Sequence, residues 1–235
     1  AARKKDVPFG GLQVVVCGDF LQLPPVNAKY VFHSQVYQQL FRKKENKVVF
    51  RDIKRQSCPK LISILQDARV GHLTQASIDM LLSCVNKPVP EDLPVKPMIL
   101  FARRVDVQQY NMKELEKLPG ETHTFWYKWQ PSRSISKKEN EIVHNDLCRN
   151  LQAPVELHLR VNAQVMLVKN MPNVVPRKFN GSMGIVMKFC PQTKAPIVRF
   201  TDGSTMLVPL AEWTGRKGKG KYIQYPLILG WALTM

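Results

Sequence analysis

Gly18-Asp19-Phe20-Leu21-Gln22-Leu23-Pro24-Pro25 puts a carboxylate and a carboxamide close together on a stretch that two prolines stiffen. A carboxamide both donates and accepts hydrogen bonds, so Gln22 has the chemistry to touch a phosphate oxygen or an attacking water. The same amide would also serve simply to cap the proline loop. Arg55, followed by Gln56 and the start of a helical pattern, is the second candidate. Guanidinium stays charged and grips phosphate oxygens through a planar fork. An arginine lying in solvent, or along the backbone of a polyanion, would look the same in sequence.

The elements that must hold these groups can be read outward from them. Residues 12–17 are apolar and rich in valine between glycines, the pattern of a strand covered on both faces of a parallel sheet. Asp19 and Gln22 then fall at its carboxyl end, where open α/β sheets place their ligand crevice. Residues 33–41 carry Val36, Leu40 and Phe41 at helical spacing, and residues 47–51 read as a short strand. Ser57 and Pro59 open a helix with Leu61, Ile64, Leu65 and Ala68 on one stripe, stopped by Gly71; Thr74 caps another with Ile78, Leu81 and Leu82. A proline-rich loop over residues 88–97 leads to a buried strand at 98–101 and a helix over 104–118 closed by Pro119-Gly120. Alternating strands and helices argue for an α/β sheet.

Beyond Gly120 the texture changes. Residues 122–129 are aromatic and β-prone, 139–151 read as a helix, and short strands follow at 155–159, 164–168, 184–189, 196–200 and 205–208. Turn signals such as Asn180-Gly181 and Asp202-Gly203 separate them, as in a small β-barrel. Residues 215–221 are a low-complexity patch in which lysine alternates with glycine, and 216–221 read as a flexible solvated loop.

Composition narrows the partners. The 235 residues include 35 Lys and Arg against 18 Asp and Glu, a formal net charge of +17, and such an excess favours a polyanion, usually nucleic acid. No apolar stretch approaches the length a bilayer requires. The five cysteines are widely spaced with no Cys-x-x-Cys pair, which points to reduced, mostly buried thiols in an intracellular compartment rather than a zinc site or a disulfide framework. Candidate nucleic-acid contacts are the basic pairs Arg103-Arg104, Lys137-Lys138 and Arg177-Lys178 and the run 216–221, with Phe125, Trp126, Tyr127 and Trp129 as possible stacking rings. Alternation along a strand instead places Trp126 and its neighbours in a barrel core.

The complete run from Gly18 to Pro25 resembles motif III of superfamily-one DNA helicases, in particular the PIF (petite integration frequency) family related to the bacterial RecD helicases. Arg55-Gln56 resembles motif IV of that family. Leu159-x-x-Asn162-Ala163-Gln164-Val165-Met166-Leu167-x-x-Asn170 and Asn180-Gly181-x-x-Gly184-x-Val186 resemble blocks leading into an inserted barrel, and residues 227–234 the strand before motif V. The resemblance implies an internal piece of tandem RecA-like domains, running from just after motif II to just before motif V. Residues 1–40 would end the first domain, 41–120 begin the second, 121–224 form an inserted barrel of Src-homology-three type, and 225–235 return to the second.

It further implies an ATP-dependent helicase, five-prime to three-prime, that uses ATP and Mg²⁺ to move on single-stranded DNA and unwind forked duplex. The expected settings are replication, repair, recombination or telomere maintenance. Gln22 and Arg55 would face the nucleotide, Arg55 reaching its phosphates from the second domain. Asp19 would position the loop rather than bind metal, and Pro24 and Thr234 would lie on the DNA path. The sequence contains no Gly-x-x-x-x-Gly-Lys-Ser/Thr, so these residues alone are expected to lack ATPase activity. The expected protein is monomeric, without a membrane partner, and resides in the mitochondrion or the nucleus. The rival class is a non-catalytic nucleic-acid-binding module on a degenerate helicase core.

Overall fold

A computed structural model describes residues 7–41, 43–54, 56–90, 93–215 and 218–234. The chain divides into two units, residues 1–87 and 88–235.

The first unit is helical among its described residues. α1 spans Gln35–Phe41, α2 Pro59–Val70 and α3 Gln75–Leu82, with short 3₁₀ turns at Val31–His33 and Lys44–Asn46. Pro59 sits in the first turn of α2, where its missing N–H would have had no partner. Gly71 ends that helix in the left-handed region at φ 76°, its N–H returning to the Ala68 and Asp67 carbonyls. Thr74 caps α3 as expected, Oγ1 accepting from the Ser77 N–H at 3.2 Å.

Two expected strands are not formed. Residues 12–17 and 47–51 have no regular structure, and Val15 and Phe50 are 79% and 91% exposed. A strand exists only as part of a ladder, and among the described residues of this unit there is no other strand to pair with. Apolar pattern alone did not secure the element.

The second unit holds every described strand. β1 (Ile99–Phe101) is followed by α4 (Arg104–Glu116), β2 (His123–Trp126), β3 (Lys128–Gln130) and α5 (Lys137–Asn150). Then come β4 (Glu156–Leu159), β5 (Gln164–Leu167), β6 (Met183–Phe189), β7 (Pro196–Phe200), β8 (Thr205–Leu207), β9 (Ala211–Thr214), β10 (Lys221–Gln224), β11 (Leu227–Leu229) and β12 (Ala232–Thr234). A five-stranded antiparallel sheet runs β11-β5-β6-β7-β8, a three-stranded one β3-β10-β9, and β2 pairs with β4. β1 and β12 form a short parallel pair in the register Phe101 to Thr234. β1 is more open than expected, with Ile99 and Leu100 exposed.

The core lies on the larger sheet, where Val165, Leu167, Val186, Val198, Phe200 and Leu227 are buried with Leu157 and Leu159 of β4. Each such side chain contributes about 1.5–3 kcal/mol relative to exposure. β5 is covered on both sides: Met166, on its other face, packs with Ala153, Val168 and Tyr222. Gln164 is buried there yet satisfied, accepting from the Lys96 N–H at 2.8 Å and donating to the Lys96 and Gly230 carbonyls at 2.9 and 2.7 Å. α5 begins two residues before its expected start because Ser136 and Glu139 form a reciprocal capping box.

The aromatic segment also alternates differently from expectation. Phe125, Tyr127 and Trp129 turn inward, while Trp126 is 62% exposed. Its neighbours are core and Trp126 is not. Where described, residues 216–221 are part of a closed turn between β9 and β10, with Gly218 exposed: the Gly215 N–H donates to the Gly220 carbonyl at 3.1 Å. Gly220 is buried against the Trp129 ring, so close that a Cβ would lie 2.3 Å from it. The expectation of mostly buried thiols fails too, since Cys17, Cys58 and Cys84 are exposed.

Candidate functional site

Asp19 is the centre of the loop in the first unit. Its Oδ1 accepts from the Leu21 N–H at 3.1 Å, the turn an aspartate makes two residues ahead of itself, and its Oδ2 accepts from Gln22 Nε2 at 3.2 Å. Arg69, in the last turn of α2, donates from one guanidinium nitrogen to Oδ1 at 2.8 Å. The Leu21 N–H is the largest influence lowering the Asp19 pKa, with Gln22 and Arg69 adding to it.

Both carboxylate oxygens are therefore engaged. The carboxylate thus ties the Leu21 N–H, the Gln22 amide and Arg69 together. Gln22 is exposed, and with one N–H given to Asp19 its carbonyl oxygen and second N–H remain for a phosphate or a water. Pro24 is exposed on the same loop. Phe20, although half exposed, steadies the loop by meeting Phe32 edge to face at 5.0 Å between centroids. Arg55 lies outside the described residues.

Arg69 was not foreseen. A basic residue in a helix's last turn is an ordinary favourable placement against the helix dipole, and nothing in its spacing signals a partner 50 residues earlier. It also lines an open groove of about 620 Å³ with Phe50, Ile53 and Leu65.

In the second unit the parallel pairing of β1 and β12 brings Thr234 beside Phe101 at the strands' carboxyl ends, from which the chain passes to Arg103 and Arg104 at the start of α4. These three candidates thus share one edge. Arg103 spends its fork on Asp106, with both N···O distances 2.8 Å, whereas Arg104 is exposed and makes no ion pair among the described residues. The clamp on this edge is Asn111 of α4, another residue the sequence did not flag. Its Nδ2 donates to the Ala232 carbonyl at 3.0 Å, and its Oδ1 accepts from the Trp231 and Ala232 N–H groups at 3.1 and 2.9 Å.

Arg177 and Lys178 separate sharply. Arg177 is exposed on the long connection between β5 and β6. Lys178 is only 2% exposed, its Nζ 2.6 Å from Asp202 Oδ2 and 5.2 Å from the centre of the Phe200 ring. Its charge is committed inside the protein, so it is not available as a nucleic-acid contact. The two sequence blocks that resemble the barrel entry meet here: Asn170 Oδ1 accepts the Asn180 N–H at 2.8 Å, and Asn162, with φ 68°, donates its N–H to Val186 at 2.7 Å.

A family model described as PIF1-like helicase matches residues 1–75. The ATP-dependent DNA helicase PIF1 of Xenopus laevis is 34% identical over 246 residues, covering 100% of this chain and 36% of its own length. By sequence, the chain is similar to PIF1-like helicases along its whole length. It spans about a third of the length of such curated relatives. The crystal structure of Pif1 helicase from Candida albicans aligns with a TM-score of 0.63 at 28% identity, over 99% of this chain and 56% of that one. A Bacteroides Pif1 helicase double mutant aligns with a TM-score of 0.70 at 23% identity, over 99% and 54% of the two chains, a likeness of fold. The fold is thus that of a PIF1-like helicase, with mixed helices and strands.

Proposed function

We propose that this chain supplies part of the motor of an ATP-dependent DNA helicase that couples hydrolysis to five-prime to three-prime movement on single-stranded DNA and to unwinding of forked duplex. The observation that carries the reading is the PIF1-like loop itself: Asp19 holds one end of the Gln22 amide, and the rest of the amide faces outward from a proline-stiffened turn. Such a group is suited to registering a γ-phosphate or the attacking water and passing its loss to a neighbouring strand of DNA. The sequence has no phosphate-cradling loop of the Gly-x-x-x-x-Gly-Lys-Ser/Thr kind, so ATP and Mg²⁺ would be held mainly by other residues of the whole protein.

In this reading residues 1–40 would close the first RecA-like domain, 41–120 and 225–235 would belong to the second, and 121–224, which hold β2 to β10, would be the inserted Src-homology-three-like barrel. Arg55 would reach the transferred phosphoryl group on domain closure, and Arg103, Arg104, Arg177, Pro24 and Thr234 would line the DNA path. Replication, repair, recombination or telomere maintenance, in mitochondrion or nucleus, are the processes such an enzyme would serve, acting as a monomer.

The test is ATP hydrolysis by the full-length protein with and without single-stranded DNA, together with unwinding of a fork carrying a five-prime tail. DNA-stimulated hydrolysis with unwinding is expected. DNA binding without hydrolysis would establish the rival reading, a non-catalytic nucleic-acid-binding module.

A further inference from the structure

We infer that Arg69 is a positioning residue for the Gln22 loop, tying it through Asp19 to the last turn of α2. The inference rests on the helicase reading for its functional consequence and on geometry alone for its structural one. Asp19 Oδ1 receives Leu21 N–H and Arg69 together, while Oδ2 receives Gln22. The carboxylate thus links the orientation of the glutamine amide to the position of a helix 50 residues later. Removing the arginine leaves the carboxylate held by its own loop, through the Leu21 N–H and Gln22, and so loosens the plane that sets the direction of the Gln22 amide.

An exposed ion pair in isolation contributes little to stability, so the expected consequence is coupling rather than unfolding. Only one guanidinium nitrogen is used, at 2.8 Å. Lysine can therefore replace arginine here, in contrast to a site that grips phosphate with both arms of the fork. Glutamine, without charge, would hold the carboxylate weakly, and glutamate would repel it.

The experiment is a series in the full-length protein, Arg69→Lys, Arg69→Gln and Arg69→Glu, read in two ways. Hydrogen exchange over residues 18–25 should accelerate in the order Lys, Gln, Glu, with lysine close to wild type. The ratio of DNA-stimulated to unstimulated ATP turnover should fall in the same order, by roughly fivefold or more for glutamate, with the KM for ATP changing less than kcat. Equal exchange in all variants would overturn the positioning role whatever the enzyme does. Ordered exchange with unchanged stimulation would keep the structural link and overturn its functional consequence. A lysine variant as poor as glutamine, with its defect in KM for ATP, would show that Arg69 grips phosphate directly. If the wild type shows no DNA-stimulated turnover, the helicase reading fails by itself, and the exchange order still decides the link.

Discussion

Gln22 Nε2 donates to Asp19 Oδ2 at 3.2 Å, within the same turn in which the Leu21 N–H closes onto Oδ1. The carboxamide is thereby held through one of its N–H groups before any ligand arrives. Preorganisation of this kind is what a sensing group requires, because a freely turning amide would pay its ordering entropy at each cycle.

Gln22→Ala in the full-length protein should therefore leave nucleotide affinity largely intact, since one amide is a small part of the grip on a triphosphate. DNA stimulation of turnover should fall by about tenfold. Nucleotide titration alongside hydrolysis at saturating DNA separates the two. Unchanged stimulation would mean that Gln22 merely caps the proline loop.

Arg55 carries a prediction from chemistry and family position alone, its placement being outside the described residues. If it neutralises charge on the transferred phosphoryl group, Arg55→Lys should be nearly as damaging as Arg55→Ala, by on the order of 10³-fold or more in single-turnover hydrolysis, because lysine loses the bidentate fork. Near-normal turnover in the lysine variant would place Arg55 on the DNA backbone instead.

Gly184 and Gly181 belong to one sequence block but are required for different reasons. A Cβ on Gly184 would lie 2.6 Å from Val198 Cγ1 and 2.7 Å from the Arg199 carbonyl oxygen, and the latter is backbone of the neighbouring strand β7. Gly181 faces open space but has φ +91°. Gly184→Ala should cost about 1–3 kcal/mol by overpacking, and Gly181→Ala roughly 1–2 kcal/mol by backbone strain. Denaturant unfolding of both variants checks this. The loss at Gly184 should shrink when Val198→Ala is combined with it, whereas the loss at Gly181 should not.

The glycine block shows where sequence was legible. Asn180-Gly181 announced a turn, and β6 follows within two residues of the expected start, because a turn residue with positive φ and an alternating strand are both written locally. Helices were legible for the same reason: Pro59, Gly71 and Thr74 mark their ends in the side chains themselves. Residues 12–17 show the opposite. Their valines declare a strand, but the ladder that would make them one is not local information. β9 and β10 went unread because glycine and lysine around residue 218 mask a closed turn. In the site, the Asp19 to Gln22 turn was legible from spacing. The partners Arg69, Asn111 and Asp202 were not, since each meets its counterpart across a long stretch of chain that only folding closes.

The Lys178 and Asp202 pair makes the acid side of the stability curve informative. The lysine lowers the Asp202 pKa from 3.8 to about 2, with Ser204 assisting. A carboxylate with a depressed folded pKa contributes stability that is fully present above its unfolded pKa and is lost as pH falls through the folded one. The contribution should thus be constant above about pH 4 and disappear toward pH 2. Asp202→Asn should lower Tm at neutral pH, because it strands a buried ammonium, and should approach wild type near pH 2. Lys178→Met, which keeps the buried stem and removes the charge with it, should be less damaging at neutral pH than Asp202→Asn. The reverse order in thermal unfolding would show that the Lys178 ammonium acts through something other than its pair with Asp202.

The same burial sharpens what the basic surface should do with single-stranded DNA. A formal net charge of +17 predicts binding that weakens steeply with salt, at a log–log slope of about 0.7 for each phosphate neutralised on a single strand. Only cations that can reach phosphate contribute to that slope. Arg104 and Arg177 are exposed, whereas Lys178 is closed over by Asp202 and the Phe200 ring. Arg104→Gln and Arg177→Gln should each flatten the slope by about 0.7, and Lys178→Met should leave it unchanged although the formal charge falls equally. Arg103→Gln should have the smaller effect of the adjacent pair, because the Arg103 fork must leave Asp106 before it can take a phosphate. Titration of a labelled oligonucleotide at several salt concentrations reads all four. A Lys178→Met variant that flattens the slope as much as the exposed arginines would mean that the Asp202 pair opens on binding, and that the sequence was right to count both members of Arg177-Lys178 as DNA contacts.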